Sequence, residues 1–124
     1  MVVRLKLPEI GQDEVDRLFH ALADSTRRDI VVRVLDREQS VSSLAERYTM
    51  SFAAVQKHVA VLERAGLVGK RRRGREQLVH GDPERLAHAR RLLEQYEEIW
   101  RHRAASMAAI LAEEAAAGKE GSRP

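Results

Sequence analysis

The sequence predicts a mainly α-helical domain with one small β-hairpin, and three features of its 124 residues carry that prediction. Apolar residues recur at steps of three and four along most of the chain, the spacing of one buried face on a helix of 3.6 residues per turn. Between Ser40 and His80 this period breaks at Tyr48-Thr49-Met50 and resumes at once, so two helices meet across a tight turn. Directly afterwards Leu67-Val68 and Leu78-Val79 flank Gly69-Lys70-Arg71-Arg72-Arg73-Gly74-Arg75, two short strands around a tip that contains glycine.

Taken in order, residues 1–11 read as a short arm punctuated by Pro8 and Gly11. From Asp13 to Ala23, Val15, Leu18, Phe19 and Leu22 form the apolar side of a first helix. Asp24 is placed to cap a second helix, in which Ile30, Val31, Val34 and Leu35 bury one side. Val41, Leu44 and Ala45 supply the apolar side of a short third helix. Ser51 can cap the fourth, because its hydroxyl accepts an amide of the first turn. Phe52, Val55, Val59 and Leu62 then mark that helix's buried face, and Gly66 stands where a left-handed C-terminal cap is expected.

A fifth helix opens at Asp82-Pro83-Glu84, with Asp as cap, Pro at the first helical position and Glu in the first turn. It is expected over residues 83–114. Leu86, Leu93, Trp100 and Met107 stand seven apart, and Ala89, Tyr96 and Ile110 fill most alternate positions, with Arg103 the one break. A seam of about four heptads exceeds what so small a domain needs for its own core, and it predicts a dimer interface. Residues 12–114 thus form one domain, and 115–124 read as a disordered tail.

Charge is unevenly spread. Residues 40–80 hold eight Lys/Arg against three acids, a local +5, whereas the rest hold fourteen against sixteen, within an overall +3. Positive field concentrated on a helix-turn-helix and its following hairpin is the footprint of a nucleic-acid binder, with the hairpin as a wing on the phosphate backbone. A lone basic run is more often a solvated hairpin; its position beside the helix pair reverses that judgement. The residues left to face a major groove are Ser51, Ala53, Ala54, Gln56, Lys57 and His58. Gln56 offers a donor and acceptor to an adenine edge, Lys57 reaches guanine or phosphate, and the alanines meet thymine methyls. Semi-buried packing explains His58 equally well. The wing contributes Lys70, Arg71, Arg72, Arg73 and Arg75. Arg27 and Arg28, at the start of the second helix, suit phosphate contact and pairing with Asp24 or Asp29 equally.

The segments ALADSTRRDIVVRVL (Ala21 to Leu35) and MSFAAVQKHVAVLERAGLV (Met50 to Val68), followed by the RRRGRE hairpin, resemble the ArsR-type (ArsR/SmtB) winged helix-turn-helix repressors over about residues 12 to 111. The resemblance implies five helices and a wing, homodimeric through the first and last helices. It adds Leu18 to a dimer surface of Leu86, Leu93, Tyr96, Trp100, Met107 and Ile110. It also implies a repressor that binds a pseudo-palindromic DNA operator. Ser25 stands where the family often has proline, and Gln56 where it often has a small hydroxyl residue.

Other classes fare worse. Without cysteine there is no disulfide, thiolate metal site or Cys nucleophile, which fits a cytoplasmic protein. No apolar run approaches the ~18 residues of a membrane span. Ser51 and His58 stand seven apart with no carboxylate to orient the histidine, so no enzyme is expected. The family's thiolate metal site maps to Ser40 and Ser42, and hydroxyls are poor ligands for soft ions. The five histidines (20, 58, 80, 88, 102) are isolated, so neither metal nor cofactor is expected. Release from DNA is then left to an unknown small-molecule effector, a partner or abundance. The alternatives are a non-catalytic protein-interaction dimer and a metal-responsive repressor with an unrecognised His site.

Overall fold

The structure is a computed structural model that describes residues 11–121, with side chains as far as Gly118. Apart from Gly11, the expected N-terminal arm lies outside the described residues, as do residues 122–124. The element order is α1 (Gln12–Leu22), α2 (Ser25–Asp36), β1 (Gln39–Ser40), α3 (Val41–Ala45), α4 (Phe52–Arg64), β2 (Val68–Arg73), β3 (Glu76–Gly81) and α5 (Pro83–Gly121). The chain divides between Arg90 and Arg91 into two compact units.

In the first unit the core is aliphatic. Leu18, Ile30, Leu44, Val55, Val59, Leu62, Leu67 and Val79 are almost fully buried, so every element from α1 to β3 except the two-residue β1 contributes to one cluster. The expected caps form. Asp24 accepts the Arg27 amide at 3.0 Å, Ser51 accepts that of Ala54 at 3.1 Å, and Asp82 Oδ1 accepts that of Glu84 at 3.0 Å. Helix α4 ends in a Schellman motif. The Leu67 amide donates to the Leu62 carbonyl and that of Gly66 to Glu63, with Gly66 at φ +77°.

The sheet has three antiparallel strands in the order β1-β3-β2, one more than expected. Gln39 pairs with Val79 and Ser40 with Leu78, a two-residue strand too short to leave a periodic signal. Strands β2 and β3 pair from Val68–Gly81 to Arg73–Glu76, leaving Gly74-Arg75 as a two-residue turn. Gly74 takes φ +61° there, as the first position of a type II′ turn requires.

Four expectations need correction. Phe52 is 46% exposed, because it begins α4 one turn ahead of Val55 and overhangs the end of the core. Leu35 is also partly exposed; it lies over Gly81, where an added Cβ would meet its Cδ2 at 2.6 Å. Leu18 is 1% exposed and Leu86 is packed against the same cluster, so both belong to the protomer's own core rather than to a free dimer surface. Helix α5 continues through Gly121 instead of fraying from Ala115, since three consecutive alanines, the strongest helix formers, prolong it.

The second unit contains the rest of α5. Leu93, Tyr96, Trp100, Met107 and Ile110 are all about half exposed or more, together with Ile99 and Leu111. Among the described residues no helix is long and apolar enough to cross a membrane.

Candidate nucleic-acid interface

The helix-turn-helix is α3, its turn and α4, and polar groups fix each joint. Ser40 Oγ accepts the Ser43 amide at 3.0 Å and starts α3. Tyr48, in the turn, donates its hydroxyl to Asp29 of α2, and the same carboxylate oxygen accepts Arg33 Nε at 2.8 Å. Burial first, and the adjacent Asp29 second, push the Tyr48 phenol up to about 12, so it stays a neutral donor. Asp29 is held below the ordinary carboxylate value by the Tyr48 hydroxyl and then by Arg33.

With Val55, Val59 and Leu62 buried, α4 turns Ser51, Ala53, Gln56 and Lys57 to solvent and leaves Ala54 half-buried. His58 is different. Its Nδ1 lies 3.4 Å from Arg27 Nη1 and 3.9 Å from Asp24 Oδ2, on the side of α4 that faces the α1–α2 junction. This corrects its assignment to the groove-facing set. Arg27 also donates to the Ala21 carbonyl at 2.8 Å and the His20 carbonyl at 3.0 Å, and Arg28 donates to that of Leu22 at 2.8 Å. Both arginines therefore complete the C-terminal end of α1, and neither guanidinium bonds Asp24 or Asp29.

The five wing cations are not equivalent. Arg71 forks onto Glu38, with Nε 2.8 Å from Oε2 and Nη2 on Oε1. Arg71 is the main cause that holds the Glu38 carboxyl below its usual range, and the pair raises Arg71 in turn. Lys70 reaches Glu63 of α4 at 3.4 Å. Arg72 Nε donates to the Gly74 carbonyl at 3.4 Å, and Arg72, Arg73 and Arg75 are all exposed. The tip thus holds the cations open to an anionic partner.

Helix and wing share one surface. Phe52 and Gln56 of α4, Ser42 of α3, and Arg75, Glu76 and Gln77 of the wing line a cleft of about 160 Å³. The sequence had assigned Gln56 and Arg75 to separate elements, and the fold brings them to one cleft. Phe52 and Ser42 were not foreseen there, nor was Glu38 foreseen as the partner of Arg71. Phe52 satisfies the apolar period of α4, and the period does not reveal where the core stops. Ser40, matched to a cysteine of the family's metal site, uses its hydroxyl as a helix cap. Among the described residues no three His, Cys, Asp or Glu side chains cluster as a metal site would require.

Comparison with known proteins agrees with this geometry. Residues 24–70 match the family described as bacterial regulatory proteins of the arsR family. The chain is 40% identical over 81 residues to the HTH-type transcriptional regulator Rv2034 of Mycobacterium tuberculosis, covering 65% of this chain and 76% of that one. It is 40% identical over 55 residues to the transcriptional activator HlyU of Vibrio cholerae, 44% of this chain and 51% of that one. Among solved structures, an ArsR-like transcriptional regulator from Rhodococcus sp. RHA1 superposes with a TM-score of 0.70 at 35% identity, over 79% of this chain and 92% of that one. The chain belongs to the ArsR family of winged helix-turn-helix, DNA-binding transcriptional regulators.

Proposed function

We propose that the protein represses transcription by occupying a pseudo-palindromic operator as a homodimer. The observation that carries this reading is the cleft shared by Gln56 and Arg75, which lets one duplex meet the recognition helix and the wing together. Helix α4 enters the major groove, where Gln56 and Lys57 address base edges, Ala53 and Ala54 permit close approach, and Ser51 lies near phosphate. Arg72, Arg73 and Arg75 engage the backbone beside it.

Dimerisation rests on α5. Its exposed Leu93, Tyr96, Trp100, Met107 and Ile110 form a large apolar stripe, and a second copy of the same stripe covers it. Two recognition helices then reach half-sites about one helical turn apart. Occlusion of a promoter requires only tight binding at the right place; the name of HlyU shows that a relative acts in the opposite sense. As a DNA regulator the protein works in the cytoplasm, and without a thiolate site its release depends on an organic effector, a partner or its own abundance.

Selection of bound duplexes from a random library tests the proposal. A two-fold symmetric consensus with half-sites about ten base pairs apart is expected. An asymmetric single site, or no enrichment, contradicts it.

A further inference from the structure

Arg71 lies in the middle of the most basic stretch of the chain, yet its guanidinium is already occupied. The strand register explains how. Arg71 is directly opposite Leu78, His80 is opposite Gly69, and these residues share one face of the sheet. Strand β1 runs along the other side of β3, and continuing its pairing one residue back sets Glu38 beside His80. Gly69 carries no side chain, and the His80 ring fills its place, within 2.4 Å of where a Cβ would stand. Arg71 leans across β3 and closes a two-point fork on Glu38, whose carboxylate also has His80 Nδ1 at 3.8 Å. Arg73, on the same face, adds a weaker attraction to that carboxylate.

We propose that Glu38 is a specificity-setting competitor for DNA phosphate, holding Arg71 on the sheet so that the wing engages the duplex with its tip arginines alone. The proposal rests on the reading of the wing as a backbone contact. A carboxylate and a phosphate offer an arginine fork the same two-oxygen geometry, so Glu38 occupies Arg71 much as a phosphate would. If Arg71 did leave for DNA, the carboxylate left behind would face the polyanion and oppose binding. Either way Glu38 removes about one charge from the wing's sequence-independent attraction. Base-edge contacts from α4 are untouched, so Glu38 raises the share of binding that depends on sequence.

The experiment is the salt dependence of binding, by fluorescence anisotropy, to an enriched operator and to a scrambled duplex of equal length. Glu38→Gln should steepen the slope of log affinity against log salt by about one unit on both duplexes. At low salt it should tighten the scrambled duplex several-fold, narrowing the ratio between the two. Glu38→Ala should do the same, which guards against a glutamine that keeps one bond to Arg71. Glu38→Gln combined with Arg71→Gln should return to the wild-type slope. Asp36→Asn, which removes an exposed acid two residues before Glu38 that lies outside the cleft and holds no arginine fork, should shift the slope by less than half as much. No steepening in either Glu38 variant, or equal steepening in Asp36→Asn, overturns the proposal. Arg72→Gln with Arg75→Gln separates the layers. If that pair flattens the slope while the Glu38 variants change nothing, the role of Glu38 alone fails. If the tip pair also changes nothing, the wing reading fails and the role of Glu38 falls with it.

Discussion

The guanidinium of Arg27, near the start of α2, lies 3.4 Å from Nδ1 of His58 on the recognition helix. Two further donors of the same fork hold the last carbonyls of α1. One side chain therefore joins three helices, and α4 is aimed by its attachment to the α1–α2 junction as well as by its aliphatic face. Arg27→Ala is expected to cost about 1–3 kcal/mol, because it takes a donor from the Ala21 carbonyl, the His20 carbonyl (which keeps the Ala23 amide) and the histidine. Thermal unfolding should show a drop of several degrees, not rescued by lysine, whose single ammonium does not reproduce the fork. A variant of unchanged melting temperature but weakened DNA binding would return Arg27 to the phosphate contacts.

Acid should loosen the same joints. Asp24 is held below its ordinary value by the Arg27 amide, Asp29 by the Tyr48 hydroxyl, and Glu38 by Arg71. The unfolded chain binds protons at the ordinary values of 3.8 and 4.5. The stabilisation is thus complete above about pH 5 and is lost as pH falls through those values toward the depressed ones. Melting temperature is expected to hold level from pH 7 to about 5 and to fall below 4. In Asp29→Asn the acid-side decline should be shallower from a lower plateau. An equally steep decline in that variant would remove Asp29 from this account.

Helix existence and polarity were legible in the sequence because caps and periods are local. Asp24, Ser51 and Asp82 cap as their positions predict, and Gly66 takes the left-handed conformation its place demands. What was not legible is set by partners distant along the chain. Strand β1 exists because β3 pairs with it, and Glu38 matters because Arg71, thirty-three residues away, leans toward it. Periodicity placed Phe52 with the core, since an apolar period does not show where a core ends, and the family resemblance placed Leu18 with a dimer although it is buried in the protomer. Among the proposed DNA contacts, the exposed face of α4 followed from the period, whereas the loss of His58 and Arg71 to internal partners required the fold.

Trp100 is 67% exposed in the protomer, so its truncation tests assembly rather than folding. Trp100→Ala should cost about 2 kcal/mol or more of dimer stability. Sedimentation should then show monomers at micromolar concentration, with operator affinity falling in step. A variant that remains fully dimeric removes Trp100 from the seam.

Zinc, cadmium, arsenite and chelators are expected to leave operator affinity within about threefold, a coupling under ~1 kcal/mol. Ser40 uses its hydroxyl to cap α3, and the chain has no thiol to replace it. Anisotropy titrations at fixed ionic strength read this directly. A tenfold, chelator-reversible loss of affinity would point to His20, His88 and His102 as ligands.

The most direct test of DNA recognition by α4 is the affinity of Gln56→Ala for an enriched operator and for operators carrying single base changes. Gln56 is exposed on α4 at the cleft it shares with Arg75, and its amide is expected to bond one adenine edge in each half-site. The account predicts a loss of about 1–3 kcal/mol on the operator, an unchanged salt slope, and relaxed discrimination at one symmetric position. Uniform weakening on every duplex with a flattened slope, or no loss at all, would contradict it.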